Sequence, residues 1–285
     1  MSLNAGNVLK INITTDPKDT ILEYVQKYLN EADKNSAIRI KKDIKPLVIV
    51  TPNPEQIVLA QQNIHFAKIL NRADIAIPDG IGVVFAMHLF EKKSDIRSFG
   101  SSFQRIAGVD FMKNLVAIAS KERVTIGLIG GRAGIAVKAL ECLRVAHSKL
   151  NGWAEDAPEF TIVNNELKMQ NNDQKSQHLY FSDLASRIQV SKTQILFVGL
   201  GAPKQEYFIE QLVSSLPSTV NTPLILMSVG GSFDFISGKI QRAPQLARLM
   251  GFEWAWRLFQ EPWRWKRQTT LLRFIWLLLK SKFTS

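Results

Sequence analysis

Asp79 lies in the stretch "ADIAIPDGIG", where a short apolar run breaks off in Pro78, Asp79 and Gly80. Pro-Asp-Gly after a strand is ordinary turn chemistry, so the local reading is a turn. The carboxylate gains a chemical role only where other strand ends supply partners, because open α/β sheets bind ligands at the carboxyl ends of their strands. Three more segments offer such ends: "GLIGGRAG" from Gly127, "GLGAPKQE" from Gly199 and "VGGSFDFISG" from Val229. Glycine lets a backbone approach a ligand closely, and the N–H groups of a following helix start favour phosphate. These glycine-bearing loops together suggest capture of a nucleotide or nucleotide sugar.

The familiar alternatives fit poorly. No Gly-x-x-x-x-Gly-Lys-Ser/Thr occurs, and "GLIGGRAG" matches a dinucleotide-binding fingerprint only loosely. No Asp-x-Asp pair is present to hold a metal, and the histidines at 65, 88, 147 and 178 are too scattered for a zinc cluster, so no metal and no cofactor are expected. Side-chain cations and backbone amides must then neutralise any leaving diphosphate. The lone Cys142 excludes an intrachain disulfide framework and fits a reducing compartment. The first residues lack the charged start and apolar core of a signal peptide, and no run of about 18 apolar residues appears. A cytoplasmic chain that does not span a membrane is expected.

The elements that must hold these loops follow from periodicity. Short apolar runs recur at 46–50, 73–77, 124–130, 194–200 and 223–230, each followed by turn residues, with helical patterns in most intervals. Continuous apolar strands alternating with helices predict an α/β fold: a Rossmann-like, mostly parallel sheet with helices on both faces. The first clear helix starts in "TPNPEQIVLAQQNIHFAKIL", with Asn53 as N-cap, Pro54 at its first position and apolar residues through Leu70. Thr51 and Asn53 thus sit on a strand-to-helix elbow. A second helix is expected over about 133–149, and the polar 151–177 stretch reads as a loop or small excursion.

Residues 1–248 read as the α/β domain and 249–285 as a basic amphipathic helical appendage. The net charge of +11 implies a polyanionic partner. Seven basic residues against two acidic ones fall between Gly251 and Ser285, with five of the six tryptophans, so the tail is where that partner is met. Helices broken at Pro262 are expected there. Lys266, Arg273 and Lys280 form a basic stripe, and Leu271, Phe274, Ile275 and Leu278 share a face roughly opposite, the composition of an interfacial membrane helix. The alternative is a terminal helix packed on the domain or on a second subunit.

In order along the chain, "TPNPE", "ADIAIPDGIGVV", "RIAGVDFM", "GLIGG", "ILFVGLGAPKQE", "VGGSFDFISGKIQRAP" and "GFEWAWRLFQEPWRWKRQ" resemble the WecG/TagA/CpsF family of bacterial glycosyltransferases. The resemblance implies an inverting, metal-independent transferase. It would move a sugar from a UDP-sugar donor to a polyprenyl-diphosphate-linked sugar at the inner face of the cell membrane. N-acetylmannosamine or a related uronic acid would be the sugar, and teichoic acid or another cell-surface polysaccharide the product. It also implies that Asp79 is the general base, that Thr51 and Asn53 position substrate, and that Gln205 lines the pocket. Arg257, Arg264 and Arg267 would close over the donor diphosphate when the tail meets the membrane.

The bottom-up chemistry is compatible with those roles, since inverting transfer needs one base for the acceptor hydroxyl and positive charge on the leaving group. Glu206 is the rival base, although a Glu opening a helix after Pro203 is more simply a dipole partner. Arg105 and Asp110 are candidate substrate-binding residues or an ion pair across a turn. Gly130, Gly131, Gly199, Gly230 and Gly231 either bind substrate or serve tight turns, and Asp234 either binds substrate or caps a local helix. Arg242 reaches phosphate or anchors the tail. The segments 91–104 and 151–177 depart from the family pattern, which leaves donor specificity open. Two other classes remain: a non-catalytic nucleotide-binding module, and a nucleic-acid binder using the tail. The aliphatic "LLRFIWLLL" favours lipid over nucleic acid, and an exposed apolar tail invites homo-oligomers.

Overall fold

The computed structural model describes residues 2–37, 45–90, 105–170, 174–217, 222–249, 252–262 and 265–284. The chain opens with an antiparallel hairpin, β1 (Ala5–Val8) and β2 (Ile11–Thr14), then α1 (Lys18–Ala37). There follow β3 (Leu47–Val50), α2 (Pro54–Gln62), α3 (Ile64–Arg72), β4 (Ile75–Ala76), α4 (Ile81–Phe90), α5 (Gly108–Glu122), β5 (Thr125–Gly130) and α6 (Ile135–Ala146). Next come β6 (Gly152–Glu155), a hairpin of β7 (Phe160–Val163) and β8 (Glu166–Met169), α7 (Gln174–Val190), β9 (Thr193–Gly199), α8 (Lys204–Ser215) and β10 (Ile225–Ser228). The short α9 (Ser232–Ile236) and α10 (Gln245–Leu249) lead to the tail helices α11 (Glu253–Gln260) and α12 (Trp265–Thr284).

Among the described residues the central sheet has six strands in the order β4, β3, β10, β9, β5, β6, every pairing parallel. Side chains alternate across it as a strand requires. Leu226 of β10 with Leu196 and Val198 of β9 enter one core, and Ile225 and Met227 with Ile195 and Phe197 enter the other. The first core is closed by α2, α3, α4, α7 and α8, the second by α1, α5 and α6. Burial on both faces explains why these strands read as continuous apolar runs.

Three features differ from the sequence expectation. The helix from Pro54 is two helices, because Asn63 leaves helical geometry at φ −128° and ψ 97° and its side chain accepts from Phe66 N, capping α3. The polar 151–177 stretch contains the sixth strand and the β7–β8 hairpin. Among the described residues strand β6 pairs only with β5, and it is half-exposed, so it carries no apolar run, while Asn164 and Asn165 turn the hairpin at φ 52° and 62°. The tail carries two apolar faces. Phe274 and Leu278 of α12 are buried in the first core and Leu271 packs against it, whereas Leu272, Ile275, Trp276, Leu279 and Phe283 are exposed. Among the described residues no helix is long and apolar enough to cross a membrane.

Candidate functional site

The carboxyl ends of four consecutive strands, β4, β3, β10 and β9, open into a cleft of about 640 Å³. Its walls carry Thr51 and Asn53 from the β3 end, Asp79 from the β4 end, Gly199 and Gln205 from the β9 end, and Gly230, Gly231 and Asp234 from the β10 end. Arg105 enters from the loop before α5, and α11 closes one side with Glu253, Trp254 and Arg257.

Asp79 follows β4 in a turn fixed by its backbone, whose N–H donates to Pro52 O at 3.0 Å. Desolvation pushes its carboxyl up to about 6, with Glu253 adding to the rise and Arg105, the Gly108 N–H and Arg242 working against it. Arg105 and Asp110 do not pair with each other across a turn. Arg105 Nη2 donates to Glu253 Oε2 at 2.5 Å, and Glu253 Oε1 accepts from Arg242 at 3.1 Å. Arg242 in turn grips Asp110 with two bonds, at 2.5 and 3.2 Å. Charges thus alternate from Asp110 through Arg242, Glu253 and Arg105 toward Asp79. Asp110 stands outside the cleft wall, and Arg242 anchors the tail through Glu253.

A second, uncharged network joins the loops. Asn53 caps α2 by accepting from Gln56 N, and Gln56 Oε1 accepts from Asn53 N in return, a reciprocal capping box. Gln56 Nε2 donates to Glu206 Oε1 at 3.0 Å, and Gln205 Nε2 donates to the same oxygen at 2.8 Å. Gln205 Oε1 accepts from Gly230 N at 2.9 Å. Glu206 is fully buried behind Gln205 and does not line the cleft. Thr51, also buried, donates to Ser228 O at 3.5 Å, and a Cβ on Gly108 would stand 3.3 Å from its methyl group.

The glycines separate by geometry. Gly130, at φ +121°, packs against Gly199, whose backbone an added Cβ would meet at 2.6 Å, and Gly131 N donates to Gly199 O at 3.1 Å. Gly130 and Gly131 lie off the cleft and bring β5 and β9 together. Gly199 lines the cleft and also makes room for the Phe233 ring, 2.6 Å from a would-be Cβ. Gly231 seats Arg257, whose Nη2 lies 2.7 Å from where a Cβ would be. The same guanidinium lies 4.9 Å from the Phe235 ring centroid and pairs with Glu261 at 2.9 Å. Asp234 opens α9, lines the cleft and pairs with Lys239 at 3.3 Å. Arg264, the Arg267 side chain and the 91–104 segment lie outside the described residues.

Sequence reasoning missed Gln56 and Glu253. The Asn53 to Gln56 spacing carries the capping-box signal, and Glu253 precedes Arg257 by one helical turn, which puts both on one face of α11. With Arg105 and Arg257 on its walls the cleft can bind a phosphorylated ligand, and the desolvated Asp79 carboxylate can accept a proton from a hydroxyl placed next to it. A model of the WecG/TagA/CpsF glycosyl transferase family matches residues 20–285, nearly the whole sequence, and the chain belongs to that family.

Proposed function

We propose that the cleft transfers a sugar with inversion from a UDP donor to a polyprenyl-diphosphate-linked N-acetylglucosamine, with Asp79 as the general base. Asp79 takes the proton of the acceptor hydroxyl as that oxygen bonds to the anomeric carbon. The bond from that carbon to the diphosphate breaks on the opposite face, and its electron pair leaves on UDP. Arg257, on the cleft wall, would neutralise the leaving charge in the role a metal otherwise fills. Thr51 and Asn53 position substrate; Asn53 spends its amide oxygen on the helix cap and keeps its amide nitrogen for a ligand. The donor sugar is of the N-acetylmannosamine type or its uronic acid, for cell-surface polysaccharide or teichoic acid synthesis.

The observation that carries this reading is Asp79 itself: a cleft-lining carboxyl held up to about 6, and so ionised at neutral pH, between Arg105 and the loops that seat Arg257. The test is transfer from a panel of UDP-sugars to a polyprenyl-diphosphate-N-acetylglucosamine analogue in EDTA, comparing wild type with Asp79→Asn. Metal-free transfer that the variant loses is expected. UDP binding without transfer to any acceptor would favour a nucleotide-binding module instead.

The tail is the membrane contact in this reading. The exposed α12 side chains recur at intervals of three and four, the spacing of one helical face, and Lys280 stacks on Trp276 at 5.1 Å from the ring centroid. Deleting 251–285 would also strip Phe274 and Leu278 from the core, so Leu272→Ser with Phe283→Ser is the cleaner variant. It should lower sedimentation with anionic vesicles and leave the melting temperature in place.

A further inference from the structure

Glu206 Oε1 is the junction of the buried network. Through Gln56 it holds the Asn53 N–H at the β3 end, and through Gln205 it holds the Gly230 N–H at the β10 end. Because β3, β10 and β9 are neighbours in the sheet, one oxygen atom fixes three adjacent strand ends. In each arm the amide donates to the carboxyl and accepts from a backbone N–H, so neither amide can rotate without breaking both bonds. The other oxygen is in a different state. Among the described residues Glu206 Oε2 is buried with no hydrogen-bond partner, and Ser228 Oγ, beside this carboxyl, also lacks one.

We propose that Glu206 works as an uncharged, proton-bearing carboxylic acid, a positioning residue that holds the donor-binding loops and takes no proton from substrate. Its proton sits on Oε2 and is offered to Ser228 Oγ. The groups that meet the carboxyl are neutral on every side: Gln56 from α2, Gln205 from its own helix and Ser228 from β10. Lys204, Tyr207 and Glu210 share α8, and Glu210 is engaged by His65 and Arg72 of α3. Among the described residues Glu206 makes no ion pair, and of the charged side chains of the cleft Asp79, Arg105, Asp234, Glu253 and Arg257 do not bond to it. A buried carboxylate with two amide donors on one oxygen and no cation is costly, and the proton removes that cost. Burial accordingly pushes the carboxyl up to about 7. Full burial keeps Glu206 from the acceptor hydroxyl, which assigns the base role away from it.

Where it concerns donor binding, this inference rests on the glycosyltransferase reading. Above neutral pH the ionised carboxylate would put a negative charge directly behind the loops that receive a diphosphate. The experiment compares wild type, Glu206→Gln and Glu206→Leu by UDP calorimetry from pH 6 to 9, by transfer kinetics, and by infrared spectroscopy for the carbonyl stretch of a protonated carboxylic acid. Gln copies the neutral acid, because its carbonyl accepts from both amides and its NH2 replaces the O–H toward Ser228. At pH 6 the wild type minus Glu206→Gln difference spectrum should show a protonated-acid band, the Asp79 contribution being common to both proteins. Glu206→Gln should restore the UDP affinity that Glu206→Leu loses, and wild type should weaken relative to Glu206→Gln by about tenfold as the pH rises past 7. Absence of the band at pH 6 overturns the proposal. Loss of kcat in Glu206→Gln with donor KM unchanged also overturns it and makes Glu206 the base. The infrared result stands even if no donor is turned over, which separates this inference from the reading it extends.

Discussion

Glu253→Gln tests the coupling between the tail and the chemistry. Glu253 is the tail residue gripped by both Arg105 and Arg242, and the three side chains are only 14%, 22% and 15% exposed. Removing one partner of a buried charge pair costs about 3–5 kcal/mol; Gln keeps one acceptor and the site is partly solvated, so about 2 kcal/mol is expected. At 1.4 kcal/mol per tenfold, that shifts the seating of α11, and Arg257 with it, by roughly 30-fold. Donor KM should therefore rise by up to that factor. The pH profile should move in the opposite sense. Glu253 raises the Asp79 carboxyl and Arg105 lowers it, so neutralising Glu253 leaves Arg105 unopposed and moves the acidic limb of kcat/KM below its expected midpoint near 6. The variant should be weaker at pH 8 yet keep a larger share of its activity at pH 5. Initial rates against UDP-sugar from pH 5 to 8, with proteolysis of α11 as a measure of seating, read both effects. An unchanged donor KM together with an unmoved acidic limb would refute this account.

Three further outcomes follow from contacts already given. Gly231→Ala places a Cβ 2.7 Å from Arg257 Nη2 at a backbone φ of −84°, which Ala tolerates; donor KM should rise while denaturant stability changes by less than about 1 kcal/mol. Gly130→Ala meets backbone rather than a movable side chain and requires φ +121°, so it should lose several kcal/mol, about 3 or more, or fail to accumulate as folded protein. Phe274→Ala should cost about 3–5 kcal/mol in a single thermal transition; a separate early transition would show that α12 melts apart from the core.

The parallel sheet was legible because its central strands are buried on both faces and therefore carry unbroken apolar runs. The edge was not. Strand β6 has one neighbour and half-exposed side chains, so Gly152 to Glu155 looks like loop. The break at Asn63 was hidden because apolar positions continue on both sides of it, and only the Asn side chain records the restart. At the site, the loop ends could be found from Pro-Asp-Gly and the glycines, whose types are restricted locally. The partnerships of Arg105 and Asp110 could not, because the contacts that decide them, to Glu253 and Arg242, span 148 and 132 residues. Gly130 and Gly131 resembled ligand-binding glycines because close approach to another backbone and close approach to a ligand demand the same residue.

Helix α12 rests on α2, and α2 is capped by Asn53 on the cleft wall. The outer row of α12 and the cleft are therefore faces of one packed pair of helices. Thermodynamic reciprocity then applies: if contact at the outer row changes donor affinity by some factor, a donor in the cleft must change affinity at the outer row by that same factor. Substrate supply would regulate how long the protein stays at a surface, and measuring surface residence with and without UDP would give the coupling directly.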